Sequence, residues 1–177
     1  SALAYLSGMT AYEPNKMLLD FILPEDREAL TVKWLVQRVD SLSKFAIGAK
    51  AYDFSFVDAR GKMVKLSDFR GKFVLVDFWA SWCRPCRASF PEMKKIYARF
   101  KDKGFEILGV TNDSRREDWL KALEQDQLPW KQVIDEFPEP YKPARVITMY
   151  AAPYLPTLIL IGPDGKIIGQ AKDKHQL

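Results

Sequence analysis

"FWASWCRPCRASFPEM", residues 78–93, holds both cysteines of a 177-residue chain, with only Arg84 and Pro85 between Cys83 and Cys86. Such a pair is a metal clip, a structural staple or a reactive dithiol. A structural zinc site needs four Cys or His ligands, and beyond the two cysteines the chain offers only His175. A disulfide stabilises chiefly by closing a loop in the unfolded chain, and two intervening residues enclose almost none. Reactive chemistry is what remains.

The flanks agree with that reading. "KFVLVDFWA", residues 72–80, is an apolar and aromatic run broken by one acid, the pattern of a strand buried on both faces of a sheet. From Pro85 onward, Phe90, Met93, Ile96, Tyr97 and Phe100 recur at helical spacing up to Gly104. This predicts an amphipathic helix with a glycine stop and a kink at Pro91. Cys83 therefore lies where a buried strand hands over to a helix N-terminus. The free amides and positive dipole end there favour a thiolate, and Arg84 adds a fixed positive charge. Cys83 is the expected nucleophile and Cys86, one turn further in, the resolving thiol.

Composition sets the frame. Hydrophobic residues make up 47% and aromatic residues 13% of the chain, which predicts a globular fold with a sizeable core. The net charge of +4 arises from 27 basic and 23 acidic residues mixed along the chain, a balance that gives no footprint for nucleic acid. No stretch reaches the roughly 20 apolar residues of a membrane helix. The chain opens at Ser1 without a basic and apolar leader, and the expectation is that any signal segment has been removed.

"VDFWASWCRPCR" resembles the active-site strand, turn and helix of the thioredoxin superfamily. The wider frame "DFSFVDARGKMVKLSDFRGKFVLVDFWASWC" is similar to its extracytoplasmic TlpA/ResA-like branch, and the likeness runs from about Ile47 to Gln170. It covers the order of strand, C-x-x-C helix, strand "FEILGVT", helix, then "YLPTLILIGPDGKIIG". The resemblance implies a thioredoxin-like α/β fold with a central mixed β-sheet flanked by helices. It implies that Pro156, ahead of Thr157, is a cis-proline packed against the active-site disulfide, and that Leu155 offers its backbone to a substrate chain as a short added strand. The plainer alternative is a trans proline that merely begins a strand. It also implies that Asp77 is a buried carboxylate accepting the proton of Cys86 during resolution; the alternative is an acid at a strand edge facing solvent. Trp82, Arg84 and Pro85 complete the expected substrate-contacting set. Relatives in this branch carry Glu where this chain has Ser89, which leaves Asp77 as the nearby acid.

The second half adds architecture. "SRREDWLKALEQDQLPW" predicts a helix through Trp119, Leu120 and Leu123 capped by Ser114. "EFPEPYKPARVITMY", with Pro138, Pro140 and Pro143, reads as a loop followed by a short helical stretch. "GPDGKIIG" reads as a hairpin turn. Before the redox domain, assigned to residues 47–177, residues 1–46 form an expected helical extension. Val32, Leu35, Val36, Val39 and Leu42 make one stripe there, starting near Pro24, and a further helix is expected before residue 23, broken near Pro14. The end at Leu177 leaves little room for the final helix usual in thioredoxin folds, and the expectation is either a truncated body or a very short helix.

The function expected is that of a thiol-disulfide oxidoreductase, of the protein-disulfide reductase type, working on protein disulfides and thiols with no bound cofactor and no metal. The resemblance implies an extracytoplasmic, periplasm-facing setting and a membrane-embedded thiol donor that re-reduces the pair. Three alternatives stand beside it: a net disulfide oxidase, a redox-inactive binding module, and a peroxiredoxin-like peroxidase. The last has Ala80 against it, where that family places Thr or Ser.

Overall fold

A computed structural model describes residues 12–22, 29–135, 144–146, 150 and 154–171. The chain runs through α1 (Tyr12–Asp20), α2 (Leu30–Ser43), β1 (Ser55–Val57), β2 (Met63–Lys65), β3 (Phe73–Trp79), α3 (Arg84–Phe100), β4 (Phe105–Thr111), α4 (Arg116–Asp126), β5 (Lys131–Ile134), β6 (Thr157–Ile161) and β7 (Ile167–Ala171). The main sheet has the order β5-β4-β3-β6-β7. β3, β4 and β5 run parallel, while β6 is antiparallel to both β3 and β7. The architecture is thus a mixed sheet with helices against it, as the family resemblance implies.

β3 takes the centre because its residues suit burial on both sides. Val74, Val76 and Phe78 enter one core with Phe54, Phe56, Val133, Ile159 and Tyr150. Leu75 and Trp79, on the other face, join Cys83, Cys86, Phe90, Met93, Ile107 and Trp119. Helices α3 and α4 cover this second face; the first is covered by the antiparallel β1–β2 hairpin and by Tyr150. The Tyr150 hydroxyl donates to Tyr52 O at 2.5 Å, and its ring centroid lies 5.5 Å from that of Phe78.

The connections follow local chemistry. Helix α3 continues through Pro91 even though a proline there supplies no amide donor. The Ser89 hydroxyl bonds back to Cys86 O at 2.6 Å within the same turn. A 3-10 turn follows α3, and Gly104 closes it at φ 81°. Between β6 and β7, Gly162 N donates to Lys166 O at 2.8 Å, closing the hairpin that the sequence predicts.

Some expectations shift. Arg115, without a side-chain capping hydrogen bond, occupies the N-cap of α4, so Ser114 is not its cap. Two acids in that first turn, Glu117 and Asp118, suit the positive end of the helix dipole instead. Trp119 and Ala122 are buried there, whereas Leu120 is exposed. Strand β5 had no forecast, because "KQVI" follows directly on an expected helix. In α2 the stripe of Val32, Leu35 and Leu42 is buried and Val36 is exposed. Expectations for Pro24, residues 136–143 and His175 lie outside the described residues. Among the described residues, no helix is long and apolar enough to cross a membrane.

Phe78 is fully buried between Tyr150 and the hairpin. Phe78→Ala should cost about 3–5 kcal/mol through lost transfer energy and a residual cavity. Urea unfolding checks this: the midpoint should fall at an unchanged slope.

Candidate active site

Cys83 is the N-cap of α3, and its Sγ accepts from the Cys86 amide at 3.3 Å. The two cysteines form a disulfide with S–S 1.96 Å and Cα–Cα 5.3 Å. Pro85 sits in the first turn, where a missing amide hydrogen is harmless and a fixed φ suits the helix. The difference in exposure between the cysteines is small in this oxidised form, with Cys83 4% and Cys86 1% accessible. What distinguishes them is position: Cys83 precedes the first turn, among the free amides, and Cys86 lies inside it.

The loop ahead of the pair is clamped. Asp113, buried just beyond β4, accepts from Ser81 N at 2.9 Å and from Ser81 Oγ at 2.6 Å. It also accepts from Thr111 Oγ1 at 2.5 Å. Arg87 makes a two-pronged contact with Asp126, Nε to Oδ2 at 2.8 Å and Nη2 to Oδ1 at 3.1 Å, and donates to Ser81 O at 3.3 Å. Together these tie the active-site turn to β4 and α4. Sequence reasoning missed Asp113 and Arg87, since their partners lie 32 and 39 residues away. The one local signal was a buried-strand terminus running directly into "TND".

Asp77 is 2% accessible in the middle of β3, which excludes a solvent-facing acid. It shares the pleat face of Leu75 and Trp79, hence the face covered by Cys86, Phe90 and Met93. Its Oδ2 finds no hydrogen-bond partner among the described residues. Burial pushes its carboxyl up to about 7, because charge is disfavoured where water is excluded.

The remaining expected residues ring the mouth. Trp82 is 66% accessible, and Arg84 and Pro85 are exposed. Leu155 is half-buried against the cluster that contains both cysteines. The Leu155–Pro156 peptide is cis, and Thr157 Oγ1 donates to Tyr154 O at 2.7 Å. Thr157 pairs with Phe78 across the sheet, so residues 155–157 and the disulfide meet at one end of β3.

The sequence profile of the AhpC/TSA family matches residues 47–170. The chain belongs to this family. Among curated relatives, the thiol-disulfide oxidoreductase ResA of Bacillus thuringiensis subsp. konkukian is 36% identical over 132 residues, 75% of this chain and 73% of that protein. ResA of Bacillus subtilis is 33% identical over 121 residues, 68% of this chain and 64% of its own length. Among solved structures, the thioredoxin domain of a thiol-disulfide oxidoreductase from Bacteroides vulgatus superposes with TM-score 0.66 at 39% identity, covering 75% of this chain and 92% of that one. A thiol:disulfide interchange protein from a Bacteroides species gives 0.63 at 39%, covering 73% and 85%. The fold is thioredoxin-like, the chain is a thiol-disulfide oxidoreductase, and Cys83–Cys86 is its C-x-x-C pair.

The raised Asp77 carboxyl has a consequence for stability. Between about pH 4 and 7 the native protein holds a proton that the unfolded chain has released, so stability falls as pH rises through that window. Asp77→Asn removes this dependence. Relative to the parent, the variant should gain on the order of 4 kcal/mol between pH 4 and pH 8. Urea unfolding of both oxidised proteins at the two pH values checks it; an equal offset at both means that Asp77 is ionised in the fold as in the unfolded chain.

Proposed function

We propose that the protein is a disulfide reductase in which Cys83 attacks, Cys86 resolves and Asp77 takes the resolving proton. The observation that carries this reading is the juxtaposition of a disulfide at the N-terminus of α3 with the buried Asp77, whose Oδ2 has no hydrogen-bond partner among the described residues, on the sheet face beneath that helix. In the reduced state, the Cys83 thiolate attacks one sulfur of a substrate disulfide and releases the first substrate thiolate. Asp77 then accepts the Cys86 proton, the Cys86 thiolate attacks Cys83 Sγ, and the second substrate thiolate leaves. The substrate gains two electrons and the enzyme ends as the Cys83–Cys86 disulfide.

Substrate chains are proposed to lie across the mouth, with Trp82 and Pro85 as apolar contacts and Arg84 as a cationic one. The half-buried Leu155–Pro156–Thr157 segment would supply backbone for a short added strand. The cysteines carry the electrons, and the reading calls for no further cofactor. Likeness to the TlpA/ResA-like branch supports an extracytoplasmic setting, protein thiols and disulfides as substrates, and a membrane-embedded thiol donor. The family match over residues 47–170 supports a redox domain assigned to 47–177, and the two helices α1 and α2 support residues 1–46 as its helical extension.

Two measurements test the roles. Cys86→Ser should accumulate mixed disulfides through Cys83, and Cys83→Ser few; equal trapping by both overturns the assignment of nucleophile and resolver. Asp77→Asn should slow resolution while sparing formation of the first mixed disulfide. General-base assistance is worth on the order of 100-fold or more, and the deficit should be greatest near pH 7 to 8. Below about 6 the parent's own Asp77 is protonated, and at alkaline pH Cys86 ionises unaided, so the deficit narrows on both sides. A deficit that does not vary with pH points to a structural acid.

A further inference from the structure

Asp77, Gly109 and Gln132 stand side by side across β3, β4 and β5. Partners in register share a sheet face, so all three lie beneath α3. Gly109 has a specific use there. A Cβ on it would fall 2.2 Å from Gln132 Oε1 and 2.6 Å from Nε2, so the Gln132 amide occupies the space of the missing side chain. Its orientation is fixed from one end, because Trp79 Nε1 donates to Gln132 Oε1 at 2.9 Å. An indole only donates, so the carboxamide oxygen must face Trp79 and the NH2 group must face away from it. That Nε2 and the Oδ2 of Asp77 are both buried without a hydrogen-bond partner among the described residues. One strand spacing, about 4.8 Å, separates the Asp77 and Gly109 backbones.

We infer that Gln132 is a positioning residue for Asp77: held by Trp79 over Gly109, its Nε2 presents the donor that favours the Asp77 carboxylate when that group must take the Cys86 proton. The inference rests on the Asp77 role proposed above. A donor toward the charged form lowers a carboxyl pKa, so Gln132 opposes the effect of burial and keeps part of the Asp77 population ionised near neutral pH. Few other groups compete for this task. Among the described residues, α3 brings the two cysteines and Tyr97 to the cluster on this face, while its Arg87 and Lys94 are both held by Asp126 of α4. From the hairpin and the edge of β4 and β5 come Asp58, Arg60, Glu106 and Lys131, around a cleft of about 620 Å³ that Gln132 also lines. β6 sets only Leu158 opposite Asp77.

Three variants test this. Gln132→Glu keeps an acceptor for Trp79 and removes the donor; Gln132→Leu removes both; Gly109→Ala leaves Gln132 in place chemically and pushes its amide off the row. The readouts are the Asp77 carboxyl titration by 13C NMR, assigned by its loss in Asp77→Asn, and the pH profile of model-disulfide reduction. In Gln132→Glu and Gln132→Leu the Asp77 midpoint should rise by about one pH unit. Reduction at pH 7 should fall roughly three- to tenfold, with the rate recovered about one unit higher in pH, and Gly109→Ala should move the same way. In an Asp77→Asn background the Gln132 substitutions should have no further effect on rate. A lower melting temperature with an unmoved Asp77 midpoint overturns the inference and leaves the Asp77 role standing. A normal pH profile in Asp77→Asn itself overturns that role instead.

Discussion

Everything in this molecule is arranged around a central strand buried on both faces. β3 can occupy that place because Val74, Val76 and Phe78 fill one core while Leu75 and Trp79 fill the other. Its C-terminal end then has one outlet, the turn at Ala80–Trp82 that delivers Cys83 to the start of α3. A parallel strand must follow through a crossover helix, so α3 has to return over the sheet to begin β4. The thiol pair is thereby fixed above the strand that holds Asp77. The catalytic geometry is a consequence of strand order, and Asp113 and Arg87 only tighten it.

Interior polarity is the price of that arrangement. A carboxyl in the middle of β3 is unfavourable for folding above its ionisation point, and an apolar residue in its place would pack without this penalty. In the proposed role, stability and proton transfer pull Asp77 in opposite directions. At the neighbouring sheet position Gly109 gives up side-chain packing and the Gln132 amide takes the space.

Local patterns made most of the framework legible. The apolar run at 73–79, the 3.6-residue period from Phe90 to Phe100 and the "GPDG" turn each contain their own cause, and each forms the element they predict. What escaped was non-local. β5 is only four residues long and directly follows a helical segment, so its strand character comes from pairing with β4 and not from its own period. Asp113 and Arg87 gained meaning only when the chain folded, as their partners are dozens of residues distant. The Ser114 cap failed because the helix starts one residue later, with Arg115 at the N-cap, and Glu117 and Asp118 in its first turn suit the positive end of the dipole.

The near-equal burial of the two cysteines bears on how their chemistry is divided. If accessibility set the nucleophile, two sulfurs that are 4% and 1% exposed would compete on similar terms. Electrostatics separates them more sharply. Cys83 Sγ already accepts the Cys86 amide hydrogen in the oxidised state, and the same amide can stabilise a thiolate there once the disulfide opens. Cys86 sits past that amide, with Phe90, Met93 and Leu158 in its cluster, where an isolated negative charge is unfavourable. In the proposed mechanism Cys83 is thus the thiol held as the anion and Cys86 the one that borrows a base as it reacts, and Asp77 lies on the sheet face that helix α3 covers.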